Sequence, residues 1–312
     1  MRIGLLDIDS HNFPNLALMK LSAYHKANGD SVEWYMPFGY RYDIVYCSKV
    51  FSFTPDYRLH INADKVIRGG TGYAIKLVNG REVYDKSKDV ALPFEVEHIC
   101  PDYTIYPPRY MDAAYGFLTR GCPRGCAFCI VAGKEGQRSY KVADLNEFWT
   151  GQKKIVLCDP NILACPDWRV LFEQLIESKA EIDFNQGLDI RLMTEEKAQM
   201  IAQTKIKEIH FAWDRYEDKD KVLPKLELFA SVAHAKPKGN HPIVYTIVNF
   251  STTIEQDLER IYTLRGLCYW PYVMVYDKEH APPIYHDMAR WVNNRFIFAK
   301  CERFEDYKKA GQ

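Results

Sequence analysis

The chain has 312 residues, of which 47% are hydrophobic and 26% are charged. This composition is typical of a globular protein with a large buried core, and it excludes a disordered or fibrous chain. Lysine plus arginine equals aspartate plus glutamate at 41 each, so no global charge attracts the protein to nucleic acid or to a membrane surface. Asp7 and Asp9 interrupt the apolar stretch that a signal peptide needs. We therefore expect a cytoplasmic protein.

The first hundred residues have the pattern of an α/β domain. Residues 2–7 predict a strand, and a helix is predicted from about Asn15 to Asn28. Further apolar runs spaced like the strands of a parallel sheet are residues 32–35, 43–47 and 65–67. A glycine turn, residues 69–72, follows the last of them. The sequence therefore predicts a small Rossmann-like domain over residues 1–100.

Residues 92–110 contain four prolines and no clear period, which is typical of an extended connection between two bodies. The second predicted domain, residues 101–312, has six strand-like runs that alternate with helical stretches. The runs are residues 116–119, 154–158, 182–185, 208–213, 243–249 and 272–276, and helical periodicity is found in 167–179, 195–203 and 254–264. Such alternation predicts parallel strands with crossover helices. The predicted fold class is α/β, with a partial (β/α)6 TIM-like barrel after the first domain.

Nine cysteines are many for a cytosolic chain, so metal binding or catalysis competes with disulfide formation. Three of them form a C-x-x-x-C-x-x-C run after the first predicted barrel strand: Cys122, Cys126 and Cys129. Three thiolates can bind three irons of a 4Fe-4S cluster and leave the fourth iron open. A structural zinc site needs a fourth ligand, and neither His98 nor Cys100 has the usual spacing for one. The other six are expected to be small buried hydrophobic residues: Cys47, Cys100, Cys158, Cys165, Cys268 and Cys301.

The cysteine spacing, with Phe128 before the last cysteine and βα units downstream, resembles the radical S-adenosylmethionine superfamily over about residues 111–290. The resemblance implies a 4Fe-4S cluster on Cys122, Cys126 and Cys129, whose open iron chelates the amino and carboxylate groups of S-adenosylmethionine. It implies that an electron from the cluster cleaves the sulfonium to give a 5'-deoxyadenosyl radical, with Phe128 among the cofactor contacts. It also implies an external electron donor of the flavodoxin or ferredoxin type. The substrate does not follow from the fold.

Active sites of parallel βα barrels lie at the carboxyl ends of the strands, so polar residues just after each predicted strand are candidates. These are Asp159 and Asn161 after the second strand, Asn185, Gln186 and Arg191 after the third, Asp214 after the fourth, Asn249 after the fifth, and Tyr276 and Asp277, facing a substrate, after the sixth. Arg191 can contact a carboxylate in bidentate fashion, although an internal ion pair explains it too. Asp214 can accept hydrogen bonds from a ribose diol, although a surface ion pair explains it almost as well. The family often has a glycine-glycine-glutamate motif after the second strand, from which residues 158–161 depart, and by resemblance residues 248–250 contact adenine. His210, inside an apolar run, is expected to be a core histidine.

An α/β domain before such a barrel is similar to the cobalamin-binding arrangement, and residues 68–72 resemble the glycine turn that approaches cobalamin there. The D-x-H-x-x-G pattern with a cobalt-ligating histidine is absent from residues 9–14. We favour a retained architecture without cobalamin over a cobalamin-dependent methyltransferase. A further alternative is a non-catalytic iron-sulfur protein that binds or transfers electrons, although three ligands leave an exchangeable iron. The basic clusters at residues 219–225 and 236–238 are expected to be solvated helix faces.

Overall fold

The computed structural model of the chain describes residues 1–9, 13–78, 81–233 and 241–307. The predicted basic cluster at 236–238 and residues 10–12 lie outside the described residues. The chain divides into two compact units, residues 1–158 and 159–312. The domain boundary predicted at residue 100 stays a prediction, because compactness does not show which segment folds alone. Within the described ranges, no helix has the length and apolar character needed to cross a membrane.

Strands and helices alternate along the described chain, as expected for an α/β fold. The strands are β1 (Arg2–Asp7), β2 (Ser31–Trp34), β3 (Tyr42–Ser48), β4 (Ala63–Gly69), β5 (Ile75–Val78), β6 (Arg81–Tyr84), β7 (Ala113–Gly116), β8 (Thr119–Arg120), β9 (Tyr140–Lys141), β10 (Lys154–Leu157), β11 (Glu181–Phe184), β12 (Lys205–Ala212), β13 (Ile243–Val248) and β14 (Trp270–Val275). The helices are α1 (Leu16–Ala27), α2 (Phe94–Glu97), α3 (Val131–Glu135), α4 (Trp168–Ser178), α5 (Glu195–Gln203), α6 (Lys219–Ala233), α7 (Ile254–Gly266), α8 (Pro283–Asn293) and α9 (Arg295–Lys300).

The first sheet is parallel, with the strand order β2-β1-β3-β4. Its four strands lie within two residues of the predicted bounds. Helix α1 begins where the Asn15 side chain accepts a hydrogen bond from the Leu18 N–H (3.2 Å). It ends before Gly29, whose φ of 79° suits a glycine. Leu18 packs with Ile3 and Leu5 in the core of this unit, so the predicted strand and helix pattern is confirmed here.

Residues 92–110 are not the extended connection that the prolines suggest. They contain α2 and two short 3-10 turns, and they are hydrogen-bonded to α1. The Asp102 carboxylate accepts from the Ser22 hydroxyl (2.7 Å) and from the Lys26 ammonium (2.6 Å). The prolines break the segment into turns, and partners about 80 residues earlier in the chain, which local pattern does not reveal, attach it to the first unit.

Six strands form a parallel sheet in the order β14-β13-β12-β11-β10-β7. All six lie within three residues of the predicted runs. The first is shifted by three residues from the predicted 116–119: β7 is residues 113–116, and residues 119–120 form the short antiparallel strand β8 with β9. Gly116 ends β7 against the ring of Phe148, which would lie 2.4 Å from an added Cβ. Helices α4, α5 and α7 agree with prediction, whereas α8 and α9 were not predicted. The curvature of a partial barrel stays a prediction.

In the second unit, strands β11 to β14 have two different faces, because successive residues of a strand point to opposite sides. One face is apolar and buried. Helices α7 and α8 pack on it through Ile261, Met288 and Trp291, against Val248 and Val273. The other face carries polar and aromatic side chains: Asp183, Glu208, His210, Tyr245 and Tyr272.

Candidate functional site

The three clustered cysteines lie on the connection between β8 and β9, in residues 121–136, which we name the cysteine loop and which ends with the short helix α3. The backbone N–H of Cys122 donates to the Gly136 carbonyl (3.1 Å), and that of Cys129 donates to the Cys126 carbonyl (3.0 Å). Cys122 and Cys126 are half-buried, and Cys129 is exposed. Phe128, between the last two cysteines, is half-buried. The cysteine loop is therefore closed at its base and carries three cysteines, none of which is fully buried.

The base of the cysteine loop is fixed by a glycine and a carboxylate. Gly121 has a φ of 79°, and a Cβ there would lie 2.0 Å from the Arg138 carbonyl oxygen, so no other residue fits without a shift of the loop. The Glu135 carboxylate accepts from the Gly121 N–H (3.1 Å) and from the Arg120 guanidinium (2.9 Å). The loop therefore enters and leaves at one fixed point.

Lys134, near the end of the loop, binds the glycine turn that follows β4. Its ammonium donates to the Thr71 hydroxyl (2.7 Å), and burial lowers the pKa of Lys134. Added Cβ atoms at Gly70 and Gly72 would lie 2.4 and 2.7 Å from backbone carbonyl oxygens of residues 49–51. The glycines of this turn therefore allow a close approach of the chain's own backbone.

The cysteine loop fits an iron-sulfur cluster by the chemistry of its ligands. All nine cysteines are thiols rather than disulfides, and three thiolates on one loop are the protein ligands of a 4Fe-4S cluster with one open iron. Across the described ranges of the chain, no group of three His, Cys, Asp or Glu side chains is arranged so that it could hold a metal ion. The ligand types are thus present on one loop, but the described side chains are not gathered around a metal position.

In the second unit, hydrogen bonds join polar side chains that follow two different predicted strands. Asp159 and Asn161 are buried, and the Asn161 amide donates to the Asp189 carboxylate at 3.4 Å. The Arg191 guanidinium donates to Asp189 (2.7 Å) and to Asp218 (3.2 Å). The structure therefore brings Asn161 and Arg191 to the same carboxylate, and the internal ion pair considered for Arg191 is present.

Asp214, just after β12, has an acceptor atom with no donor. Its Oδ1 is buried and receives no hydrogen bond from any described residue. Burial raises the pKa of Asp214 to about 6, although the guanidinium groups of Arg260 and Arg191 act in the opposite direction. A carboxyl group with an open acceptor and a perturbed pKa is a common feature of ligand sites, so Asp214 is the strongest candidate among the strand-end residues.

Two residues that the sequence pattern did not bring forward, Asp257 and Arg260, hold these strand ends. Both side chains are 0% exposed on α7. The Arg260 guanidinium donates to the carbonyls of Trp213 (2.6 Å), Asp214 (2.9 Å) and Ile247 (2.7 Å), and to the Asp257 carboxylate (2.5 Å). The signal in the sequence is a pair of charged residues, three positions apart, on the apolar face of a predicted helix.

Asn249, predicted near adenine, has partners of its own. Its φ is 62°, its N–H donates to Asp257 (3.1 Å), and its amide side chain donates to the Tyr276 carbonyl (3.2 Å). Asp277 is exposed and contacts the His280 ring (2.8 Å). The structure thus gives Asn249 a role in shaping the loop after β13. Of the remaining candidates, Asn185 is half-buried and Gln186 is exposed.

No protein-family model and no curated protein matches this chain. The site residues fall into two places, the cysteine loop in the first unit and the polar strand ends in the second, and their chemistry is the basis for a function.

Proposed function

We propose that the chain is a radical S-adenosylmethionine enzyme with a 4Fe-4S cluster on Cys122, Cys126 and Cys129. The observation that carries this proposal is the cysteine loop, closed at its base by Gly121 and Glu135 and bearing three thiols at the family's spacing. When bound, the cluster supplies the electron that cleaves the sulfonium of S-adenosylmethionine to a 5'-deoxyadenosyl radical. The α/β fold with six parallel strands supports the proposal. We further propose that these strands form a partial barrel and that the first domain is Rossmann-like.

The residues of the second unit are proposed to bind S-adenosylmethionine. Asp214 accepts a ribose hydroxyl at its open Oδ1. Arg191, oriented by Asp189 and Asp218, faces the carboxylate of the methionine moiety. Asp159 and Asn161 replace the family's glutamate near the amino group.

The finer contacts belong to the same proposal. Asn185 and Gln186 line the ribose, residues 248–250 contact adenine through backbone and an apolar side chain, and Phe128 packs against the cofactor. A flavodoxin or ferredoxin type of donor supplies the electron to a cytoplasmic enzyme. Cobalamin is not included, because residues 9–14 lack the D-x-H-x-x-G pattern with its cobalt-ligating histidine.

Anaerobic reconstitution with iron and sulfide tests the proposal. The full chain should gain the visible absorbance of a 4Fe-4S cluster. After reduction with dithionite, the spin-resonance signal should change when S-adenosylmethionine is added, and 5'-deoxyadenosine should form. Cys126→Ala should abolish all three readouts. Cys301→Ala is the matched control, because Cys301 is a half-buried thiol like Cys126 but lies outside the loop.

The outcomes separate the alternatives. A cluster that survives Cys126→Ala would contradict the ligand assignment. A reduced cluster whose signal does not respond to S-adenosylmethionine would favour the non-catalytic iron-sulfur protein. A corrinoid spectrum retained in stoichiometric amount would favour the cobalamin-dependent methyltransferase.

A further inference from the structure

The polar face of β11 to β14 carries five side chains that the proposed cofactor site does not use, which we name the acid–tyrosine row: Asp183, Glu208, His210, Tyr245 and Tyr272. Asp183 and Glu208 are direct neighbours on adjacent strands. The His210 ring stacks on the Tyr245 ring, with centroids 5.2 Å apart and planes inclined by 19°. Tyr272 meets Tyr245 edge to face, with centroids 5.6 Å apart, and is 42% exposed. The row therefore extends from a half-buried carboxyl group to an open aromatic side chain.

A β-bulge creates the pair of carboxylates. Ile182 pairs with Ile206, but Asp183 pairs with Glu208, so the register passes over Lys207. A regular register would place the lysine opposite Asp183 and neutralise it. Like charges directly opposite each other destabilise a sheet, and bulges often re-aim side chains beside functional sites. The bulge thus replaces an internal ion pair with two adjacent acids.

The histidine ring lies beside Glu208. His210 Nδ1 donates to the Phe184 carbonyl (3.1 Å), because a carbonyl oxygen can only accept. His210 Nε2 lies 3.7 Å from the Glu208 carboxylate. Asp183 Oδ1 is buried and receives no hydrogen bond from any described residue. Burial, with Glu208 beside it, raises the pKa of Asp183 to about 6, against the opposite effect of His210 and Lys207. Two carboxyl groups therefore meet here, and no described residue donates to Asp183 Oδ1.

We propose that the acid–tyrosine row binds a planar organic cation, a guanidinium or amidinium group, of the substrate. Such a group presents several N–H donors in one plane, which matches the oxygens of two neighbouring carboxylates. Its positive charge offsets the repulsion between Asp183 and Glu208, and the rings of Tyr245 and Tyr272 attract a cation to their faces. In the described residues these side chains do not form a metal-binding group. The role of the row as a substrate pocket rests on the proposed function. Its binding of a planar cation does not depend on that function.

Calorimetric titration of the full chain tests this proposal, with methylguanidinium as the probe and methylurea as its neutral counterpart. The titrations are made at neutral pH without S-adenosylmethionine, before and after reconstitution of the cluster. We expect saturable binding of methylguanidinium only. Asp183→Asn should weaken it roughly tenfold or more, since a hydrogen bond between charged groups is lost. Glu181→Gln is the matched control, because Glu181 lies on the same strand opposite Lys205, and it should leave binding unchanged.

Removal of Asp183 also removes a repulsion, so Asp183→Asn should fold, as a thermal unfolding curve will show. Glu208→Gln provides a second variant with the same expected weakening. Equal binding of methylurea, or full binding by both variants, would overturn the proposal. If the chain binds methylguanidinium but forms no 5'-deoxyadenosine, the result supports the cation site and contradicts the proposed enzyme activity.

Discussion

Arg260→Met is the change from which we expect the largest loss of stability. It removes a fully buried guanidinium, leaving the Asp257 carboxylate without its cation and the carbonyls of Trp213, Asp214 and Ile247 without a donor. Removing one partner of a buried ion pair costs about 3–5 kcal/mol. The lost carbonyl hydrogen bonds add to this loss, and the apolar side chain of methionine offsets part of it. We expect the free energy of unfolding to fall by about 4 kcal/mol, a large share of the roughly 5–15 kcal/mol of a typical domain.

Urea unfolding followed by circular dichroism measures this loss. Arg169→Met is the matched control, because Arg169 is an exposed arginine on α4 that pairs with Glu196, and exposed pairs contribute roughly 0–1 kcal/mol. Asp257→Asn added to Arg260→Met should recover part of the loss, since it removes the orphaned charge. If Arg260→Met is no more destabilising than Arg169→Met, the buried pair does not hold the strand ends as we infer.

Three further changes test other parts of the molecule. Gly121→Ala places a Cβ 2.0 Å from the Arg138 carbonyl oxygen, so the reconstituted variant should bind less iron; an unchanged iron content would contradict the role of the loop base. Asp214→Asn tests the pKa of about 6: a carboxyl group with a raised pKa contributes stability that is full below about pH 4 and lost as the pH rises through 6. The variant should therefore gain about 2–3 kcal/mol over the native chain at high pH and little in acid, and a gain that does not vary with pH would disprove this. Gly70→Ala, with its Cβ 2.4 Å from the Lys49 carbonyl oxygen, should lower the melting temperature without abolishing cluster assembly.

The candidate site was predicted in part. The cysteine loop and the candidates Asn161, Arg191 and Asp214 followed from cysteine spacing and from the rule that polar residues after parallel strands meet at one edge. Arg260 was missed because local pattern treats a charged residue on a helix as solvated. Here it is surrounded by four acceptors, which come from the segment just after β12, from β13 and from its own helix. His210 was expected to be a core residue, and it is buried, but its ring nitrogen faces Glu208.

The sequence by itself determined the alternation of strands and helices, because hydrophobic periodicity and the residues that end helices act over a few neighbouring positions. Only the tertiary structure decided that residues 92–110 pack on the first unit, that β7 ends at Gly116, and that the register of β12 passes over Lys207 to set Glu208 beside Asp183. Each of these depends on which distant residue lies opposite, and the free energy of such a contact is fixed by burial and cross-strand register, neither of which a local pattern contains.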